Sequence, residues 1–314
     1  SSNEDSQPLL KQRDDILLAA VAWLSFPHTF IIRRAIPIRN RDWAFWLFLT
    51  PVLAALVIVV IIPLLFGFYY SFTNWNGLGR LDFIGLKNYI NLFNDDAFIS
   101  AFWFTVKFSI ASIVLINIIG LGLALLVTTK LKSSNLLRTV FFMPNLIGGL
   151  ILGFIWQFIF IKVFGSIGDL FGIEALNGWL STTETGFWGM VILTAWQMAG
   201  YIMIIYIAYL QAVPGDLLEA AEIDGANAFQ RFRHITFPLV APAFTVSLFL
   251  TLSHSFKIYD QNLSLTGGAP YNSTEMVAMN IIRSAFTDNE MAYAQSKAVI
   301  FFIIVAIVSL LQVY

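Results

Sequence analysis

One acidic segment has residue types and a spacing that suit contact with another protein. Its main residues are Glu219, Ala220, Ala221, Asp224 and Gly225. Asp216 is predicted to cap a short helix, carboxylates in the first turns stabilise it, and Gly225 is predicted to end it. Small alanines would let another protein approach closely, and Glu219 suits a basic group on that protein. The competing interpretation is an ordinary solvated loop.

A second group of side chains suits binding of a hydroxylated solute. Thr194, Gln197 and Tyr201 fall on one face of a helix, and Thr251 and Ser255 share a face of another. Polar residues inside a membrane are costly, so they are candidates for function. Hydrogen bonding between helices explains them equally well. For Asn117 and Gln157 that second explanation is the favoured one.

The motifs that an enzyme would need are missing. No Gly-x-x-x-x-Gly-Lys-[Ser/Thr] phosphate loop occurs, and the chain has no cysteine. The three histidines, His28, His234 and His254, are far apart and have no clustered metal-ligand partners. We therefore expect no catalytic residue, no metal site and no cofactor bound by this chain. The net charge of −1 gives no reason to expect a nucleic-acid partner.

The elements that must position these residues are membrane-spanning helices. Hydrophobic residues make up 58% of the 314 residues and charged residues only 12%, against about 25% charged in ordinary soluble domains. Lipid favours helices because they satisfy their own backbone hydrogen bonds. We predict an all-α integral membrane protein with six spans, namely 43–70, 108–129, 139–161, 185–215, 238–262 and 292–314.

The distribution of positive charge predicts the orientation. Most of the 18 lysine and arginine residues precede the first span or lie between spans two and three or spans four and five. That side is expected to be cytoplasmic, so both termini are expected there as well. Residues 16–32 form either an interfacial helix, which is slightly favoured, or a seventh span. Residues 1–42 are thus expected to be a separate N-terminal segment.

The acidic segment resembles the Glu-Ala-Ala loop of ABC importer permeases. That pattern is Glu-Ala-Ala, three residues, Gly, nine residues, Ile, one residue and Leu-Pro, and here only Phe237 departs from it. The run 223–226, with Phe232 and Pro242, is similar to the carbohydrate branch, the maltose-type permeases. The resemblance implies a membrane domain at 43–314 whose coupling loop, about 214–238, docks into an ATPase subunit through Glu219.

A second segment also resembles the sugar permeases, and the resemblance implies which residues contact the sugar. Residues 265–275 are similar to an external Leu-Thr-Gly-Gly-Gly-Pro segment of sugar permeases, with Ala269 in place of a glycine. Alignment on Glu219 implies sugar contacts at seven positions, and local similarity adds Asn145. The seven are Thr194, Gln197, Met198, Tyr201, Thr251, Ser255 and Ile258.

The resemblance also implies partners. They are a second permease subunit, two ATP-binding-cassette ATPases that carry ATP and Mg, an extracytoplasmic solute-binding protein, a saccharide and membrane lipid, in a bacterial plasma membrane. A secondary carrier or channel for a small polar solute is the alternative; it needs no coupling loop and often has internal repeats, of which none is evident.

Lys257 raises the question of charge in the pathway. It is expected to lie inside the fifth span, where an unpaired ammonium is unfavourable. The favoured interpretation is an ion pair with Asp260, three residues on. The other is contact with the carboxylate of an acidic saccharide.

Overall fold

A computed structural model describes residues 42–79, 81–129 and 133–313. The described residues are nearly all helical or in turns, with one isolated β-bridge between Thr73 and Phe83. The segment 16–32 lies outside the described residues. The described part of the chain divides after Pro63 into two units.

Among the described residues, six helices are long and apolar enough to cross a membrane, as the sequence predicts. We name them spans one to six: Phe45–Tyr70, Asp96–Thr128, Gly149–Phe171, Thr183–Leu210, Ala228–Phe256 and Met291–Gln312. Shorter α-helices are Lys87–Leu92, Ser134–Phe142, Gly215–Ile223, Asp260–Leu265 and Val277–Ile282. Single π-helical turns interrupt spans one, three and five at Val57–Ile61, Ile159–Val163 and Phe232–Thr236.

The described residues of the first unit form an apolar helix whose side chains are largely exposed. None of the described side chains from 45 to 63 is buried within the protein. An apolar surface of this kind suits lipid, which needs no polar face.

The second unit packs around the fourth span. Most of that helix is buried, and it contacts the second span along much of its length. Close approach depends on glycine. A Cβ at Gly120 would press on Ile202, and one at Gly200 would overlap the carbonyl oxygen of Phe141. Small residues at helix contacts are the usual way to bring membrane helices together.

Several predicted boundaries are wrong for identifiable reasons. The second span begins at Asp96, because Asp95 caps it by accepting a hydrogen bond from the Phe98 N–H at 2.8 Å. The third span begins at Gly149, because the chain breaks after a short turn containing Pro144. Residues 139–142 belong instead to the separate helix Ser134–Phe142.

Among the lysines that the structure describes, the deeply buried one is Lys297 in the sixth span, and Lys257 is exposed. Only 3% of Lys297 is exposed, and its Nζ donates to Asp95 Oδ2 at 2.8 Å, to Asn280 Oδ1 at 3.0 Å and to Ser284 Oγ at 2.8 Å. Burial by itself raises the pKa of the Asp95 carboxyl. The hydrogen bonds, above all from Lys297, outweigh burial and hold that pKa below its usual value.

We predict that Lys297→Met destabilises the protein by about 3 to 5 kcal/mol, because it leaves the Asp95 carboxylate without its cation. The measurement is unfolding of the purified protein in detergent. Asp95→Asn added to Lys297→Met is expected to recover part of the loss, since asparagine can still cap the helix. Lys107→Met is the control: Lys107 is exposed and forms no ion pair with the described residues. If Lys297→Met were as stable as the wild type, the buried ion pair between Lys297 and Asp95 would not contribute to stability as predicted.

Candidate functional site

The acidic segment forms a short helix followed by a tight turn. The helix runs over Gly215–Ile223. The chain then turns at Gly225, whose φ of +84° is a conformation that favours glycine. The Ala226 N–H donates to the Ala221 carbonyl at 2.9 Å and closes the turn. The predicted cap is wrong: Pro214 stands at the N-cap, and Asp216 lies in the first turn.

A new helix begins directly after the turn and leads into the fifth span. Asn227 and Gln230 cap each other's backbone reciprocally, which fixes the start of the helix at Ala228. Arg231 ties the two helices together by an ion pair with Glu222 at 3.2 Å. The segment is therefore a defined helix–turn–helix, and it connects spans four and five. We call residues 214–231 the coupling segment.

The exposed face of the coupling segment carries an unpaired acid among apolar side chains. Glu219 is exposed and forms no ion pair with any described residue, whereas Glu222 is engaged by Arg231. Ile223 is 87% exposed and Phe229 is 70% exposed. Ala220 and Asp224 are exposed, and Ala221 is half-buried. Exposed apolar side chains at Ile223, outside the spans, and at Phe229, in the first turn of span five, together with the free carboxylate of Glu219, form a surface suited to another protein.

The predicted pathway residues of span four are mostly covered in this conformation. Thr194, Gln197 and Met198 are buried, and Tyr201 is half-buried. The Gln197 amide donates to the Ile147 carbonyl at 3.2 Å and accepts a hydrogen bond from Gln261 at 3.0 Å. Gln197 thus joins span four to the start of span three and to the helix Asp260–Leu265.

Thr251, another predicted pathway residue, is buried and hydrogen-bonded within its own helix. Its hydroxyl donates to the Ser247 carbonyl within the same helix at 2.8 Å. The Asn117 amide beside it accepts hydrogen bonds from Tyr206 at 2.8 Å and from Ser247 at 2.6 Å. These contacts connect spans two, four and five. The prediction that Asn117 holds helices together is confirmed, as is the one for Gln157, which donates to the Leu265 carbonyl at 3.0 Å.

Two predicted pathway hydroxyls have no protein partner. Thr194 Oγ1 and Ser255 Oγ are buried and form no hydrogen bond with the described residues. Nearby, the His254 Nε2 atom is likewise buried and unpartnered. A buried polar group without a partner costs free energy, so such groups are expected where another partner arrives.

The other predicted pathway residues lie in two connecting segments. Asn145 is half-buried in the short turn before the third span, two residues from the Ile147 carbonyl that binds Gln197. Ile258 is buried in the apolar core, between the fifth span and the next helix.

The expectation that Lys257 lies inside the fifth span is wrong. The helix ends at Phe256, and Lys257 is its exposed C-cap. Asp260 begins the next short helix, is also exposed, and forms no ion pair with Lys257. The chain turns at this point, so spacing along a continuous helix does not apply.

Asn262 is a residue whose importance the sequence did not reveal. Its amide donates to the Thr274 carbonyl at 2.9 Å and accepts from the Met276 N–H at 3.0 Å. It therefore closes the segment 265–275, in which Gly267 and Gly268 have positive φ angles. In the sequence, the feature that could have indicated this role is an asparagine shortly before the Gly267-Gly268 pair.

The six spans place these features on two faces. Successive spans cross in alternate directions, so the loops after spans one, three and five lie together, and those after spans two and four lie opposite. The coupling segment follows span four, and the segment 265–275 follows span five. They therefore lie on opposite faces of the membrane.

Comparison with known proteins agrees with this architecture. The chain is 59% identical, over 88% of its length and 94% of the relative, to the "Probable starch degradation products transport system permease protein AmyD" of Thermoanaerobacterium thermosulfurigenes. It is 33% identical, over 87% of its length and 95% of the relative, to the "Multiple sugar-binding transport system permease protein MsmF" of Streptococcus mutans.

The solved structures include the same fold. A chain of a bacterial ABC transporter involved in the import of the acidic polysaccharide alginate superposes with a TM-score of 0.77, covering 87% of this chain and 94% of that chain at 21% identity. The predicted permease architecture is thereby confirmed. Residues 116–314 match the model of one family. The chain belongs to the family of binding-protein-dependent transport system inner membrane components.

Proposed function

We propose that this chain is one permease subunit of an ATP-driven importer for a neutral oligosaccharide derived from starch. The observation that carries the proposal is the 59% identity, over nearly the full length, with a relative named for starch degradation products. An external binding protein would deliver the saccharide, and a second permease would complete the pathway.

The saccharide is proposed to be neutral because the candidate pathway residues are uncharged apart from Lys257. Hydroxyl, amide and aromatic groups at Thr194, Gln197, Tyr201 and Ser255 suit sugar hydroxyls and C–H faces. The similarity to the alginate transporter extends to the fold only, so it gives no support for an acidic substrate.

The energy is proposed to come from two ATPase subunits that bind ATP and Mg. The coupling segment supports this proposal because its free carboxylate and exposed apolar side chains suit a basic cleft in another protein. A stand-alone secondary carrier would have no use for such a surface. The ATPases work in the cytoplasm, so the coupling segment and both termini are proposed to be cytoplasmic, in agreement with the distribution of lysine and arginine.

We expect proteoliposomes containing the complete transporter and its binding protein to take up maltotriose when ATP is supplied. Glu219→Lys is expected to reduce that uptake at least tenfold, because it places like charges at the ATPase contact. Glu174→Lys is the matched control, an exposed acid on the opposite face. If the wild-type transporter took up no neutral glucan, the proposed substrate would be wrong. Normal uptake by Glu219→Lys would contradict the coupling role.

The orientation is testable because the chain has no cysteine of its own. A cysteine at Ala228, which is exposed in the coupling segment, is expected to react with a membrane-impermeant maleimide only in inside-out vesicles. A cysteine at Asn94, exposed on the opposite face, is expected to react only in intact cells or right-side-out vesicles. Labelling of both positions from one side would refute the arrangement.

Thr194→Val and Ser255→Ala test the pathway directly. Each removes a buried hydroxyl that has no protein partner, so stability is expected to stay unchanged or rise. If the hydroxyl binds the saccharide, transport efficiency should fall about fivefold for one lost hydrogen bond. Ser112→Ala, which removes an unpartnered hydroxyl outside the candidate pathway, is the control. Unchanged kinetics in both test variants would remove these residues from the pathway.

A further inference from the structure

A cavity of about 550 Å³ opens on the face opposite the coupling segment. Its volume lies within the roughly 300 to 1,000 Å³ typical of small-molecule sites. It lies between the segment after the first span, the helix Lys87–Leu92 and the start of the sixth span. The side chains used in the argument are those of Asn74, Trp75, Lys87, Asn91, Glu290 and Tyr293. None of the candidate pathway residues lines it.

The walls of this cavity are held in place by the protein itself. The Asn88 amide, which is buried, donates to the carbonyl oxygens of Ser71 at 2.8 Å and Thr73 at 2.9 Å. The Trp75 ring is half-buried and stacks on Tyr70, with ring centroids 4.6 Å apart. A preformed wall loses little conformational entropy when a ligand binds.

The floor of the cavity is joined to the buried ion pair. Tyr293 donates from its hydroxyl to Asp95 Oδ2 at 2.9 Å, and Asp95 in turn pairs with Lys297. The Ala292 N–H donates to the Trp75 carbonyl at 2.8 Å, which connects the tryptophan to the sixth span. The aromatic groups at the cavity are thus fixed relative to the helices.

The groups that remain available favour an uncharged, hydroxyl-rich ligand. The Asn91 side chain is exposed and forms no hydrogen bond with the described residues, so both its donor and its acceptor are free. The Asn88 side-chain oxygen is a further acceptor, since only its NH₂ group is used. Among the described lining residues the charges are one Lys87 and one Glu290, of opposite sign. Such a lining has no net attraction for an acid or a base.

We propose that this cavity is a second saccharide-binding site, on the external face and separate from the translocation pathway. Asparagine amides bind sugar hydroxyls, and Trp75 offers a fixed aromatic surface to the C–H face of a sugar ring. The external placement and the choice of a neutral glucan rest on the proposed function. The site would hold an oligosaccharide at the external surface of the permease.

The test uses the complete transporter in lipid nanodiscs without the binding protein. Binding of maltotriose and maltohexaose is measured by calorimetry and by saturation-transfer NMR. Asn91→Ala is expected to weaken binding about fivefold, and Trp75→Ala at least tenfold. Asn94→Ala is the matched control, an exposed asparagine three residues away that does not line the cavity.

Two results would overturn the proposal while leaving the proposed function intact. One is ATP-dependent maltotriose uptake by the wild type with no binding to the nanodisc complex, or with binding that Asn91→Ala and Trp75→Ala leave unchanged. The other is that Asn91→Ala and Trp75→Ala bind saccharide normally, but the binding protein no longer stimulates their ATPase activity. That result would identify the cavity as a contact site for the binding protein. If the wild type imports no neutral glucan but the cavity variants lose maltotriose binding, the proposed function fails and the site stands.

Discussion

The side-chain oxygen of Asn117 accepts hydrogen bonds from Tyr206 and Ser247, and so joins the second, fourth and fifth spans at one buried point. Lipid offers no hydrogen bonds, so polar groups inside the membrane depend on the protein for their partners. The arrangement of these three helices decides where the other features lie. The coupling segment connects two of them, spans four and five.

The hydroxyl groups near this core fall into two classes. Thr251 and Ser247 are hydrogen-bonded within the helices, and replacing them would disturb packing. Thr194 and Ser255 are equally buried but have no partner among the described residues. A buried hydroxyl without a partner costs free energy, so it is available to a group that binds there. The contrast separates hydroxyls that are hydrogen-bonded within the protein from hydroxyls that are left available, which polarity alone did not do.

Near the start of the sixth span, buried charges form ion pairs. Lys297 pairs with Asp95, and its ammonium group lies over the rings of Phe98 and Tyr293. Glu275, only 2% exposed, pairs with Arg283 at 3.2 Å, and burial raises the pKa of the Glu275 carboxyl. Asn280 contacts both Glu275 and Lys297 and so connects the two pairs. This network fixes the start of the sixth span and therefore one wall of the cavity lined by Trp75 and Tyr293.

The sequence by itself determined the six spans, because a charge is costly in lipid. It also predicted the short helix between spans four and five and the turn at Gly225. It also singled out Asn117 and Gln157 as contacts between helices. It did not determine where helices break. The turn at Lys257 and the short helix ending at Phe142 depend on tertiary contacts, such as the fit of Ser264 against Gly153 and of the Phe141 carbonyl against Gly200. Asp95, the ion-pair partner of Lys297, lies far away in the sequence at the start of the second span, so only the folded chain could bring the two together.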